Sequence, residues 1–231
     1  MHLLSPFEKR SEFDGTILTN PNPVAVLWTV TKTCILSLIA LVGILIVLTS
    51  LAYFPPKFTF GFLRGREAYF YSWYAIAFYV HVITSPLALF LGLMQSINGV
   101  RIRHPKVHRS CGYIYVLIVL LFATPSGLAM SIKADGGTVA VIGFAALAIA
   151  TAFSTWQGFS AARCGRFVKH RQWMTRSYLL ICSAVLLRFM ATLTNQFELN
   201  ITYGAMAWLS WLPSLMIYEI LIRRQTAKIA G

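Results

Sequence analysis

Six stretches of about twenty or more largely apolar residues alternate with short polar segments along the chain, over about 29–53, 73–97, 110–130, 138–161, 173–195 and 204–222. A bilayer core about 30 Å thick is crossed by roughly 20 residues of α-helix, so each stretch predicts one membrane-spanning helix. The expected fold is all-α, a polytopic bundle of six transmembrane helices forming one domain over 29–231 behind a polar lead over 1–28. The first stretch is too long for the core of a signal peptide and no small-residue cleavage site follows it, so it is expected to remain as an anchor. Short connections make neighbouring helices antiparallel. Pro86, Pro125 and Pro213 fall inside the second, third and sixth predicted helices, where bundle packing tolerates the kinks they impose. The segment from Phe54 to Ser72 starts with Pro55-Pro56 and carries Phe58, Phe60, Phe62, Tyr69, Phe70 and Tyr71, a composition suited to the interface and to a cap over the helix ends.

Composition agrees with a membrane protein. Of 231 residues 57% are hydrophobic and 12% charged, and the mean hydropathy is +0.66. Lys and Arg set the orientation, because short cytoplasmic loops hold the excess. With the N-terminus inside, the basic residues of the lead, of the loops around 101–109 and 163–171 and of the C-terminal segment all fall on the cytoplasmic side. Only Lys57, Arg64, Arg66 and Lys133 fall outside. Both termini are then cytoplasmic, and a bacterial cytoplasmic (inner) membrane is the expected location. The net charge of +13 follows from this bias and from attraction to anionic lipid headgroups, and no nucleic-acid motif accompanies it. Membrane lipids, and other membrane subunits, are the expected partners. The cysteines, Cys34, Cys111, Cys164 and Cys182, lie in helices or at cytoplasmic ends, where thiols stay reduced.

Two basic loops repeat one pattern. The first reads Arg103-His104-Pro105-Lys106-Val107-His108-Arg109, the second Arg166-Phe167-Val168-Lys169-His170-Arg171, and each opens a long apolar stretch. Taken as an internal repeat, they relate the second and third helices to the fourth and fifth and set His108 and His170 at equal depth across a pseudo-two-fold axis along the membrane normal. Chance likeness between two positive-inside loops accounts for the same letters.

The chain resembles a family of predicted membrane proteins, the domain of unknown function 2306 family, over about residues 75 to 220. The resemblance rests on His81, on Gly92 and Gln95 with Arg101, on the run His108 to Tyr115, on the run His170 to Tyr178, and on Leu187-Arg188. The run from 170 to 178 is the most specific. The chain departs from the pattern in the last helix, where Pro213 and Ser214 stand in place of an expected Asn ahead of Glu219. The resemblance implies a membrane-embedded fold and carries no reaction with it.

Two sets of residues are candidate sites. At the inner face His108 and His170 sit near helix N-termini, where unsatisfied N–H groups favour anions, with Arg109, Arg171 and Arg176 beside them. Gln95, Trp156-Gln157, Tyr113, Tyr115, Tyr178 and Glu219 fall at comparable depth. Two imidazoles facing each other across a bundle suit a b-type haem, His108 and His170 being its iron ligands and the arginines neutralising its propionates. Histidine, arginine and tyrosine also suit a quinone. Cys111 and Cys164 with the two histidines offer a zinc set, an unlikely one because no close Cys-x-x-Cys spacing is present. The same residues serve simply to anchor helix ends to headgroups. Nearer the outer face His81 and Arg188 fall at similar depth. An intramembrane arginine is costly and marks a function by default, although an arginine can also snorkel outward. Paired carboxylates, phosphate loops and nucleophile elbows are absent. The expected function is therefore binding of a redox cofactor or lipid-soluble ligand, haem b or quinone, in membrane electron transfer. A non-catalytic membrane subunit or lipid-binding scaffold, and a small-solute or ion transporter, are the alternatives.

Overall fold

The computed structural model describes residues 23–59 and 61–230. The polar lead expected over 1–28 lies outside the described residues as far as residue 22, and from Pro23 the chain is already helical. Proline's fixed φ suits the first helical position, where its missing N–H costs nothing. Among the described residues every regular element is a helix, and six are long and apolar enough to cross a membrane. They are α1 Val26–Leu51, α2 Glu67–Gln95, α3 Pro105–Ser131, α4 Gly137–Arg163, α5 Phe167–Gln196 and α6 Tyr203–Ala227. The all-α, six-span expectation holds.

The chain divides into residues 1–37 and residues 38–231, and the packed core lies in the second unit. There α4 packs along α3, α5 and the first half of α6, while α2 packs on α3 and touches α5. The residues that α4 buries are small: Ala140, Gly143, Ala148, Thr151, Ser154, Thr155, Gly158 and Ala161. Lipid is as apolar as a helix surface, so helices associate in a bilayer by close packing and interhelical hydrogen bonds, which a small-residue face permits.

α3 and α5 begin in the same register. Their first residues, Pro105 and Phe167, and their His-Arg pairs are each 62 positions apart, so His108 and His170 are both the fourth residue of a helix. Both helices begin earlier than the expected 110 and 173, because the basic loops wind into helix and carry the His-Arg pairs with them. Both also loosen at matching places. In α3 Pro125 cannot donate to the Leu121 carbonyl, and the turn over Val119–Ala123 widens, with the Thr124 N–H reaching back to the Val119 oxygen. In α5 the irregular turn falls at Cys182, between Phe167–Ile181 and Ser183–Gln196. These shared starts and breaks favour the internal repeat.

α2 likewise has an irregular start, with non-helical backbone at Tyr71 and Ser72, and regular helix only from about Tyr74. The expected start at 73 falls at this break. The aromatic loop ahead of it folds into a cluster in which Leu63, Phe70, Tyr74 and Phe78 are buried against Tyr53, Phe58, Phe62, Tyr79 and Met130. This end of the bundle, called the aromatic end below, also carries the α3–α4 connection. The opposite, basic end carries the connections around His104 and Gly165.

Toward the basic end the packing is tight. Gly92 of α2 stands against the ring of Tyr178 and beside that of Tyr115, and a Cβ built there would sit 2.3 Å from a Tyr178 ring carbon. Tyr115, Ser177 and Thr155 are fully buried and join α3, α5 and α4 through hydrogen bonds of 2.7 Å. The Thr155 hydroxyl donates to the Thr151 carbonyl, so it accepts from Ser177, and Ser177 in turn accepts from Tyr115. Gly92→Ala is expected to destabilise the bundle by about 1–3 kcal/mol, the usual cost of overpacking. The midpoint of thermal unfolding in detergent checks it, against Gly99→Ala, whose added methyl meets open space.

Candidate functional site

A cavity of about 500 Å³ lies toward the aromatic end, walled by α1 to α6 and by the loop residues Phe62, Arg66 and Asp135. Its volume is in the range of small-molecule sites. The walls are mostly apolar, among them Leu89 and Val82 of α2, Phe144 and Leu147 of α4, and Leu180 and Leu187 of α5. The structure places both His81 and Arg188 on these walls.

The widened turn of α3 positions His81. Its Nδ1 lies 3.1 Å from the Ala123 carbonyl and 3.3 Å from Ser126 Oγ, and its Nε2 lies 3.2 Å from Ser85 Oγ. The carbonyl accepts only, so Nδ1 carries the proton. Among the described residues no carboxylate pairs with the ring, so the neutral form is the less costly one at membrane depth, and Nε2 then accepts from Ser85. Gly127 gives the ring its room, because a Cβ there would sit 3.0 Å from it.

Arg188 has no such partners. Its one hydrogen bond runs from Nη1 to the Ala184 carbonyl of its own helix at 3.2 Å. The ion pairs among the described residues are Arg66–Asp135 and Arg176–Glu219, so no carboxylate faces Arg188. Arg188 is exposed rather than packed, and it is one of the residues lining the cavity. An unpaired charge at membrane depth is costly, and the usual remedies are water or a partner of opposite sign.

Arg66 is the residue that the sequence reading passed over. It is 2% exposed and donates to the Phe62 and Lys133 carbonyls, to the Tyr69 hydroxyl and to the Asp135 carboxylate. Burial lowers the pKa of its guanidinium, and its neighbours, the Tyr74 and Tyr69 phenols and the Asp135 carboxylate, more than offset that, so it stays charged. Counted by position in the chain Arg66 is an outer-loop arginine. Only the fold shows that it pins the aromatic loop to the α3–α4 connection at the rim of the cavity.

The inner residues make separate hydrogen bonds, although His108 and His170 stand within electrostatic reach of each other. Gln95 Nε2 donates to the His108 carbonyl at 2.7 Å, and His170 Nδ1 donates to the Gly158 carbonyl at 2.8 Å. His108 Nδ1 and Gln95 Oε1 are buried without a hydrogen-bond partner. Arg176 grips Glu219 at 2.5 and 2.9 Å, lies over the Trp173 ring at 4.5 Å and so clamps α5 to α6. Arg109, Arg171 and Tyr113 are exposed on the bundle surface, and Tyr178 packs its ring on Gly92. None of these residues lines the cavity. Among the described residues, no three His, Cys, Asp or Glu side chains gather in a metal-binding group, His108, His170, Cys111 and Cys164 included.

Glu219→Gln is expected to cost about 1–3 kcal/mol of stability, because Arg176 keeps its charge and loses its partner. The double variant with Arg176→Gln is expected to lose less than the sum of the single losses. Thermal unfolding of the four proteins checks the cycle.

The comparisons with known proteins agree with this architecture. No curated protein and no solved structure matches the chain. The model of a family described as predicted membrane proteins, domain of unknown function 2306, matches residues 78–222, which take in α3, α4 and α5 whole and most of α2 and α6. Since that is well over half of its length, the chain belongs to this family of multi-pass membrane proteins of unknown function.

Proposed function

We propose that this protein binds a lipid-soluble ligand in the cavity at its aromatic end, with the ligand's polar head at Arg188 and its apolar part between α2, α4 and α5. The observation that carries the reading is Arg188, an exposed charge midway along a membrane-crossing helix that lines a ligand-sized cavity and, among the described residues, has no carboxylate partner.

Of the two redox groups that the sequence suggests, a quinone suits this cavity better than haem b. A quinone head needs hydrogen-bond donors for its carbonyl oxygens, which Arg188 supplies. Haem needs an imidazole nitrogen free to bind iron, and both nitrogens of His81 are engaged. His108 and His170, the expected iron ligands, lie outside the cavity. His170 donates from Nδ1 and keeps Nε2 as an acceptor, so a haem in this protein would sit at the basic end. Electron transfer belongs to the quinone or haem occupant. A lipid-binding scaffold or a solute transporter remains the reading if the cavity takes no redox group.

The basic residues are expected to face the cytoplasm, here of a bacterial inner membrane. Cys164 is exposed at the basic end. In right-side-out spheroplasts of a variant retaining only this cysteine, a membrane-impermeant maleimide is expected to label it only after permeabilisation. Labelling of intact spheroplasts would reverse the topology.

Protein purified in mild detergent is expected to carry a lipid-soluble molecule near one per chain, and Arg188→Leu is expected to lose it. Solvent extraction with mass spectrometry reads both. A Soret band that sharpens with dithionite and disappears in the variant His108→Ala, His170→Ala would replace this reading with haem at the basic end. Extracts that do not differ between wild type and Arg188→Leu would leave the scaffold.

A further inference from the structure

The hydrogen-bond inventory of the cavity narrows its occupant. Most hydroxyls on the walls have spent their protons on carbonyls of their own helices: Ser50 on Ile46, Thr124 on Val119, Ser131 on Leu128, Thr151 on Leu147 and Ser210 on Ala207. Ser85 and His81 satisfy each other. Four groups remain with protons to give. Arg188 uses one of its five N–H groups. The Tyr53 hydroxyl accepts from the Phe62 N–H, and its own proton is not taken up. Tyr203 and Ser183 also line the cavity, and among the described residues their hydroxyls make no hydrogen bond. Tyr53, Tyr203 and His81 all lie within electrostatic reach of the Arg188 guanidinium. The four groups with protons to give are thus gathered on the wall that carries Arg188, where the hydroxyl oxygens can also accept.

Charge points the same way. Asp135 is engaged by Arg66, and His81 is neutral, so the cavity holds one uncompensated positive charge. A neutral carbonyl accepts hydrogen bonds but leaves that charge in place. A single oxyanion both accepts from the donors and cancels the charge, and charge-assisted bonds are about twice as strong as neutral ones. A doubly charged phosphate monoester would leave the cavity negative by about one unit.

We infer that the cavity binds a monoanionic single-chain amphiphile, a long-chain carboxylic acid, whose carboxylate is held by Arg188 with the hydroxyls of Tyr53 and Tyr203 while its chain runs between the apolar walls of α2, α4 and α5. This rests on the cavity being a ligand site, and it fixes the chemistry of the head. The carboxylate accepts from Arg188 side by side, the geometry that a guanidinium offers to two oxygens on one carbon.

The test uses the full-length protein in detergent and three probes: a fluorescent fatty acid, its methyl ester of the same chain length, and a short-tailed quinone as competitor. The acid is expected to bind wild type at least tenfold more tightly than the ester does. Arg188→Gln is expected to weaken the acid about tenfold to a hundredfold and to leave the ester unchanged, the loss of a hydrogen-bonded charge partner. Arg188→Lys should recover part of the preference, since it keeps the charge and gives up the fork. Arg188 bonds only to its own helix, so these variants are expected to melt within a few degrees of wild type, and that melting point separates lost binding from lost fold. Equal affinity for acid and ester, or displacement by the quinone at concentrations where the acid fails, would overturn the anionic head and keep the cavity as a site for a neutral ligand. Failure of all three probes, with no co-purifying molecule, would overturn both.

Discussion

Close packing is the constraint on which this bundle depends, because a bilayer gives helices almost no hydrophobic reason to leave lipid for one another. The requirement is met in one half of the molecule and relaxed in the other. Toward the basic end, Gly92 and Gly158 let Tyr178 and Met174 lie against the backbone of α2 and α4, and the Tyr115–Ser177–Thr155 bonds lock three helices together. At Val119–Ala123 and at Cys182 the two repeat-related helices lose regular pitch, and from there toward the aromatic end the same helices line a cavity. The breaks therefore mark the passage from a packed half to a receptive one. Pro125, whose ring forces the first break, thus belongs to the cavity although it does not line it.

Arg66 and the aromatic cluster answer a problem created by that opening. Six helices that diverge around a cavity need something at the rim, and a charge with four acceptors ties the α1–α2 loop to the α3–α4 connection there. Phe70, Tyr74 and Phe78 then fill the space that the helices leave.

How far the sequence alone reaches can be judged residue by residue. Length and apolarity make the six helices legible, since each is its own hydropathic unit and needs no partner to be recognised. Their ends are less so: hydropathy stops at the basic residues, but Lys106 to Arg109 and Lys169 to Arg171 continue the helix because backbone hydrogen bonding does not depend on side-chain polarity. His81 and Arg188 stand out in the sequence because a polar group inside an apolar run is rare and counting from helix ends gives depth. That they share a cavity depends on which way each helix faces, which depth does not give. Arg176 and Glu219 are separated by 43 positions, and only the packing of α5 on α6 shows that they satisfy each other. Asp135 and Tyr203 gave no signal, being ordinary residues at helix ends that gain meaning from Arg66 and Arg188.

The hydroxyl chain through the packed half has a further property. Because the Thr155 proton goes to the Thr151 carbonyl, every proton in the series from Tyr115 onward is donated in one order, and the series ends on a carbonyl oxygen that has none to pass on. Relaying a proton would require all three hydroxyls to swing round together after each transfer, inside a core where Ser177 and Thr155 are 0% exposed. The chain is built as a strut. It holds three helices at fixed spacing beside the cavity.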